Sequence, residues 1–290
     1  MQKILLIGAN GQLGKDLIRV LSHDFVITGT DVEQCDISKR EQVSSLFESN
    51  RPDLVINTAA WTDVPGCETN DKKAFEVNAL GAKHIAQACD RISCKLLHIS
   101  TDYVFDGKKN SPYVESDLPA PLNVYGLSKL TGEYYIQAYC RKYFIVRTSG
   151  LYGIHPAIGK KTNFVETMLK KAKEGNTIKV VDDEVLTPTF TIHLAQQVKK
   201  LISTDYFGLY HATSNGACSW YEFAKKIFEL AHADAALEKT SVIKFGSPVQ
   251  RPAYSVLDNY HLRTRGLEVM KTWDGALADY FLDKDNKLKI

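Results

Sequence analysis

The sequence predicts an α/β fold: a Rossmann-type doubly wound parallel sheet followed by a smaller C-terminal α/β substrate lobe. Three observations predict it. A short apolar run at 3–7 ends in the glycine-spaced stretch Gly8-Ala9-Asn10-Gly11-Gln12-Leu13-Gly14. Strand-like and helix-like segments then alternate through the first half of the chain, the pattern of βαβ units. After Thr148 that rhythm loosens into Gly-, Pro- and Lys-rich loops between isolated helices and strands.

The elements follow in order. Residues 3–7 form a buried strand, because the run is apolar on both faces and is stopped by glycine. Residues 13–21 carry helical spacing. Residues 25–30 are β-branched and end at Asp31. Ser38-Lys39-Arg40-Glu41 has the form of a capping box opening a helix to about residue 50. The third strand is expected at 53–58, a long helix at 71–90 and the fourth strand at 95–100. Next come a helix carrying Tyr125 and Lys129 and a strand at 144–147. Farther on, residues 150–162 read as a loop, 163–174 as a helix and 178–181 as a strand. The stretch 182–191 is turn-rich, 192–204 is helical and 208–213 is a strand. Ser219-Trp220-Tyr221-Glu222 is a second capping box, starting a helix to about residue 232, and 283–290 read as a loose tail. Residues 1–150 thus make a dinucleotide-binding domain, to which segments near 176–204 return. Residues 151–175 and 205–290 make the substrate-binding lobe.

Bulk composition excludes several classes. With 36 basic and 34 acidic residues the formal charge is +2, which offers no net-charge argument for nucleic acid. No stretch approaches the ~18 apolar residues of a membrane span. The start reads as a strand rather than a signal peptide. The six cysteines (Cys35, Cys67, Cys89, Cys94, Cys140 and Cys218) form no C-x-x-C pair and read as reduced, mostly buried thiols of a cytoplasmic protein. The eight histidines show no ligand spacing and read as packing or surface residues, so no metal site is assigned. Asp182-Asp183-Glu184 reads as a solvated acidic turn, with a divalent ion such as Mg2+ between subunits as its alternative use. A homodimer is compatible with the sequence.

The glycine turn follows a strand and opens a helix, and that context makes a dinucleotide site credible. Gly8 permits the tight turn, Gly11 lets backbone approach a pyrophosphate, and Gly14 lets helix and strand pack closely. The helix amino end then faces the phosphates. Asp31, 23 residues after Gly8, can accept hydrogen bonds from the ribose hydroxyls and would repel a 2′-phosphate, favouring NADH or dual use with NADPH. Asp36 and Ile37 lie where an adenine could meet a carboxylate and an apolar contact. The alternative for Asp36 is to cap the helix after it. Small residues in Asn57-Thr58-Ala59-Ala60 let backbone pass close to the cofactor.

Tyr125 and Lys129 are one helical turn apart and share a face. A free tyrosine has a pKa near 10, and a nearby ammonium favours tyrosinate and lowers that value. Thr101 follows the fourth strand, where its hydroxyl can bond a substrate oxygen. Proton transfer next to a dinucleotide points to hydride chemistry on a carbonyl.

With those residues in place, the chain resembles the extended short-chain dehydrogenase/reductase family, and within it the dTDP-4-dehydrorhamnose reductases. The resemblance spans nearly the whole length. Its words are Gly11-Gln12-Leu13-Gly14, Ser100-Thr101-Asp102-Tyr103-Val104-Phe105-Asp106-Gly107 and Pro121-Leu122-Asn123-Val124-Tyr125-Gly126-Leu127-Ser128-Lys129. Arg147-Thr148-Ser149, Pro188-Thr189 and Arg251-Pro252 add support. It implies NAD(P)H-dependent reduction of a 4-keto dTDP-sugar to dTDP-L-rhamnose. It also implies Tyr125 as proton donor, Lys129 as its pKa partner and ribose ligand, and Thr101 as the hydroxyl on the substrate oxygen. Thr101 and Asp102 would lie along the sugar. Gly11, Gln12, Leu13, Asp31, Asp36, Ile37, Ala59, Ala60 and Trp61 match cofactor-contact positions. Arg251 is the candidate for the sugar nucleotide's diphosphate, ahead of Lys160 and Lys161. Two positions depart from the family pattern. Gly150 stands where a substrate-packing tryptophan is usual, so Leu151, Tyr152 or Trp61 would have to fill that space, or the sugar differs. Pro65-Gly66 replaces a more polar pair. The competing readings are a nucleotide-sugar epimerase or dehydratase, and a non-catalytic NADP-binding regulatory subunit.

Overall fold

The computed structural model describes residues 1–156 and 162–288. Six strands form one parallel sheet: β1 (Lys3–Ile7), β2 (Val26–Thr30), β3 (Leu54–Asn57), β4 (Lys95–Thr101), β5 (Tyr143–Thr148) and β6 (Gly208–His211). They lie in the order β6-β5-β4-β3-β1-β2. The chain leaves β1 toward β2 on one side and resumes with β3 on the other. The crevice for a ligand therefore opens above the carboxyl ends of β1 and β3. Register keeps those ends level, with Ile7 beside both Thr30 and Asn57, and Thr101 beside Thr148.

Strand alternation explains the double winding. Ile4 and Leu6 of β1, Leu54 and Ile56 of β3, Leu97 of β4 and Phe144 and Val146 of β5 feed one core. Their neighbours Leu5, Ile7, Val55, Leu96 and Ile145 feed the core on the opposite face. Successive side chains of a strand point to opposite faces, so a run apolar at every position needs helices on both. Helices Arg40–Asn50 and Gly81–Arg91 cover one side, and helices Gln12–Leu21 and Thr191–Ile202 pack together on the other.

Several expectations need correcting. The segment expected as a substrate-lobe strand at 208–213 is β6, which pairs with β5 and completes the main sheet. Conversely, Ile178–Val181 pairs with Leu237–Thr240 in the smaller lobe rather than returning to the sheet. The Ser38 capping box does not form: Lys39 takes the N-cap position without a side-chain bond, because Asp36 Oδ1 already accepts the Ser38 N–H at 3.0 Å. The second box does form, Ser219 and Glu222 satisfying each other's backbone N–H at the head of helix Trp220–Leu230. The expected tail from 283 is also wrong at its start. Helix Trp273–Lys284 contains Asp283, whose buried carboxylate binds Arg19 Nη1 at 2.7 Å. Finally, the long helix from Asp71 to Arg91 is interrupted by one π turn, Glu76–Leu80. Such turns often mark functional positions.

The smaller lobe packs helices Phe164–Lys173, Trp220–Leu230 and Trp273–Lys284 around Tyr152, Phe190, Phe223 and Tyr280. The Tyr152 and Phe190 rings stack at 5.6 Å. All six cysteines are buried and unpaired.

Candidate active site

The glycine turn sits at the carboxyl end of β1. Gly8 has φ +85°, a conformation L side chains rarely adopt. Its N–H and that of Ala9 donate to the Thr30 carbonyl, at 2.9 and 3.1 Å. Gly11 is the N-cap of helix Gln12–Leu21, whose first N–H groups have no intrahelical acceptor. Any Cβ at Gly14 would come within 2.3 Å of the Gly8 carbonyl oxygen, so the helix can meet the strand only with glycine there. Asp31 closes the rim: its Oδ2 accepts the Asn10 N–H at 3.1 Å and its Oδ1 that of Val32 at 2.9 Å. Asp36 caps its own turn, and Ile37 is buried in the core with Val43 and Phe47.

On the other side of the crevice, Ala59, Ala60 and Trp61 are half-buried. Asn78, in the π turn, holds this segment by both ends of its amide, accepting the Trp61 N–H at 2.8 Å and donating to the Trp61 carbonyl at 3.1 Å. It also donates to Ser128 Oγ, which in turn donates to the Tyr125 carbonyl. The cofactor wall and the Tyr125 helix are thereby tied to one side chain, which no sequence motif signalled.

Tyr125 lies in the first turn of helix Val124–Tyr139, capped by Asn123, whose Oδ1 accepts the Gly126 N–H at 2.8 Å. The Tyr103 and Tyr125 rings meet edge to face at 5.8 Å. Thr101, at the end of β4, donates its hydroxyl to Asp102 Oδ1 at 3.1 Å and accepts the Tyr103 N–H. Burial pushes the Tyr125 phenol well above its ordinary range, and the Thr101 hydroxyl beside it works the other way. The expected lowering by Lys129 is therefore absent from this geometry: the net shift of Tyr125 is upward.

The reason lies in where Lys129 points. Its Nζ donates to the Ile99 carbonyl at 2.7 Å and lies 3.1 Å from His98 Nε2. Desolvation lowers the lysine to about 8, opposed by Glu133 one turn on. Glu133 is itself bound by Arg147, at 2.6 and 2.9 Å, and by the Ser100 hydroxyl at 2.5 Å, all of them buried. His98 thus belongs to the site and is not a packing residue. Sequence reasoning missed it because its partner is 31 positions away on another element.

On the substrate side, Asp102 is fully buried. It accepts from Ser149 Oγ at 2.8 Å as well as from Thr101, so it anchors the threonine rather than standing open along a sugar. Burial raises its carboxyl. Arg251 is half-buried, and its charge acts on both Tyr103 and Glu184. Lys160 and Lys161 lie outside the described residues. Gly150 has φ +55°, and a Cβ there would come within 2.9 Å of Leu186 Cδ1. Leu186, an aliphatic side chain, therefore borders the position of the expected tryptophan. Tyr152 does not, being sealed in the lobe core, and Trp61 instead carries Lys73 Nζ over its ring at 4.6 Å.

The acidic turn is used internally. Asp182 binds Ser219 and Lys239, Asp183 accepts the Val242 N–H, and Glu184 accepts from Trp220. Among the described residues no group of three or more His, Cys, Asp or Glu side chains could hold a metal ion, and no helix is long and apolar enough to cross a membrane.

Comparison with known proteins places this geometry in company. A family model described as RmlD substrate binding domain matches residues 1–285. The spore coat polysaccharide biosynthesis protein SpsK of Bacillus subtilis is 38% identical, over 99% of this chain and 99% of that protein. The dTDP-4-dehydrorhamnose reductase of Aggregatibacter actinomycetemcomitans is 36% identical, over 89% of this chain and 91% of that protein. The crystal structure of dTDP-4-dehydrorhamnose reductase from Bacillus anthracis in complex with NADP superposes with a TM-score of 0.93 at 39% identity, covering 97% of this chain and 99% of that one.

Proposed function

The chain belongs to the RmlD substrate binding domain family, and from that membership we propose that it is an NAD(P)H-dependent oxidoreductase reducing the C4 keto group of dTDP-4-dehydro-L-rhamnose to give dTDP-L-rhamnose. The observation that carries this reading is the convergence at one sheet edge. The glycine turn follows β1 and Thr101 ends β4, both at the carboxyl edge of the sheet, and Tyr125 heads the helix that comes after, edge to face with Tyr103 just past Thr101.

The residues fit a dinucleotide: glycine at 8 and 14 lets the turn pack against Thr58, Ala59 and the helix without side chains, and the helix begins behind a glycine cap with no side chain over its first N–H groups. Gln12, Leu13 and Gly14, at the start of the helix, would hold its diphosphate by backbone N–H groups, Gly8 and Gly11 would shape the turn through their own N–H bonds to Thr30 and Gly8, and Ala59, Ala60 and Trp61 would wall the far side. When bound, the cofactor supplies the hydride. Tyr125 gives its phenolic proton to the oxygen of the substrate carbonyl as charge develops there. A phenol held above its ordinary pKa keeps that proton at neutral pH until the oxygen becomes basic enough to take it. With substrate bound, Thr101 would turn its hydroxyl proton from Asp102 to the carbonyl oxygen and hold it in line, and Lys129 would orient the cofactor ribose. Arg251 meets the sugar nucleotide's diphosphate. Leu186, beside Gly150, would offer the sugar an aliphatic contact at that position. Stoichiometric oxidation of NADPH or NADH with dTDP-4-dehydro-L-rhamnose, and not with UDP-linked keto sugars, is the expected result. No oxidation of either cofactor would remove the assignment.

Asp31 sets the cofactor preference in this reading. Its carboxylate is fixed by the Asn10 and Val32 N–H groups; with a cofactor bound it would accept from a 2′-hydroxyl and repel a 2′-phosphate. Replacing it with alanine is expected to shift the NADPH-to-NADH ratio of kcat/KM toward NADPH by roughly tenfold, the worth of one contact of about 1.4 kcal/mol. An unchanged ratio would show that Asp31 only closes the turn.

A further inference from the structure

The proposed role of Lys129 leaves a question the geometry answers: what fixes its charge. Lys129, His98 and Asn57 are each at most 2% exposed, so their hydrogen bonds must be settled among themselves. Asn57 Oδ1 accepts the Ala59 N–H at 3.1 Å. The amide's NH2 end therefore faces the ring, 2.9 Å from His98 Nδ1, and can only donate. Nδ1 must then be the bare nitrogen, and the neutral ring carries its proton on Nε2. That N–H points at Lys129 Nζ, 3.1 Å away. An ammonium has no lone pair to receive it, whereas an amine has one. The chain closes in only one sense: Asn57 donates to His98, His98 donates to Lys129, and Lys129 donates to the Ile99 carbonyl.

The geometry points to His98, oriented by Asn57, as the positioning residue that favours the uncharged amine of Lys129 and so sets the pH above which that lysine no longer serves the reaction as an ammonium. Burial and the neighbouring lysine hold the His98 ring far below its ordinary range, so the imidazole stays neutral and cannot escape the conflict by gaining a second proton. The carboxylate acting on Lys129 from the other direction is Glu133, already committed to Arg147 and Ser100. Tyr125 lies one turn back along the same helix. The inference rests on the proposed part played by Lys129.

The test is Asn57→Asp. An aspartate keeps the bond to the Ala59 N–H but turns the donor facing His98 into an acceptor. The ring proton then moves to Nδ1, and Nε2 becomes an acceptor for the ammonium. The alkaline limb of kcat against pH is expected to move up by about one unit or more, with KM for the cofactor changed little. His98→Gln, whose amide oxygen can also face the ammonium, is expected to move it the same way and serves if the aspartate variant folds poorly. Nitrogen-15 NMR of the wild-type ring is expected to show a protonated Nε2 and a bare Nδ1. An unmoved limb in the variants, or a protonated Nδ1 in the wild type, overturns the inference. Lys129→Met separates the two claims. Full activity in that variant would defeat the proposed role of the lysine, and the NMR result would still decide the hydrogen-bond direction.

Discussion

Replacing Tyr125 by phenylalanine is expected to leave folding and cofactor affinity unchanged and to lower kcat by at least ~10²-fold, the usual contribution of a positioned general acid. The ring packs edge to face on Tyr103, and phenylalanine preserves that contact. Only the hydroxyl beside Thr101 is lost. Because the missing group acts in the transition state, kcat and kcat/KM should fall together. Cofactor titration by fluorescence, paired with steady-state kinetics on dTDP-4-dehydro-L-rhamnose, checks both halves. Near-normal turnover would mean that another group supplies the proton.

The second large effect concerns stability. Glu133→Leu is expected to destabilise the protein by roughly 3–5 kcal/mol, because it strands a buried cation. Arg147 binds Glu133 through Nε and Nη2, both residues are almost fully buried, and Ser100 donates to the same carboxylate. Removing the acid leaves the guanidinium with the face of Phe105, 5.2 Å away, as its main neighbour. The double variant Glu133→Leu with Arg147→Met should recover most of the loss, since an apolar pair removes both desolvation costs. Chemical denaturation of the single and double variants measures this. A single variant within 1 kcal/mol of wild type would refute the account.

What the sequence made legible was whatever is decided locally. The β1 run, the glycine turn and the alternation of β3, β4 and β5 each rest on neighbours within a few residues. The Ser219 capping box closes over three residues and was read correctly. Ser38 showed the same spacing and failed, because Asp36 two residues earlier claimed the backbone N–H first. His98, Asn78 and Glu133 were illegible for a different reason. Each has its meaning in a partner on another element, brought near only by the sheet and the Tyr125 helix. The orientation of Lys129 was misjudged likewise. Sharing a helical face with Tyr125 fixes direction only to within an arc, and the Ile99 carbonyl and His98 decided it. Gly150 stood out as a departure from the expected tryptophan, but its neighbour Leu186 did not.

The position of β6 has a consequence for how the chain comes to be folded during synthesis. The strand that finishes the sheet begins at residue 208, and the helix Thr191–Ile202 that shields helix Gln12–Leu21 emerges just before it. A nascent chain halted near residue 150 would present β5 with an open edge and the first helix with a bare apolar flank. The half of the molecule that reads as earliest and most self-contained must therefore wait on the ribosome for residues well past the middle of the message.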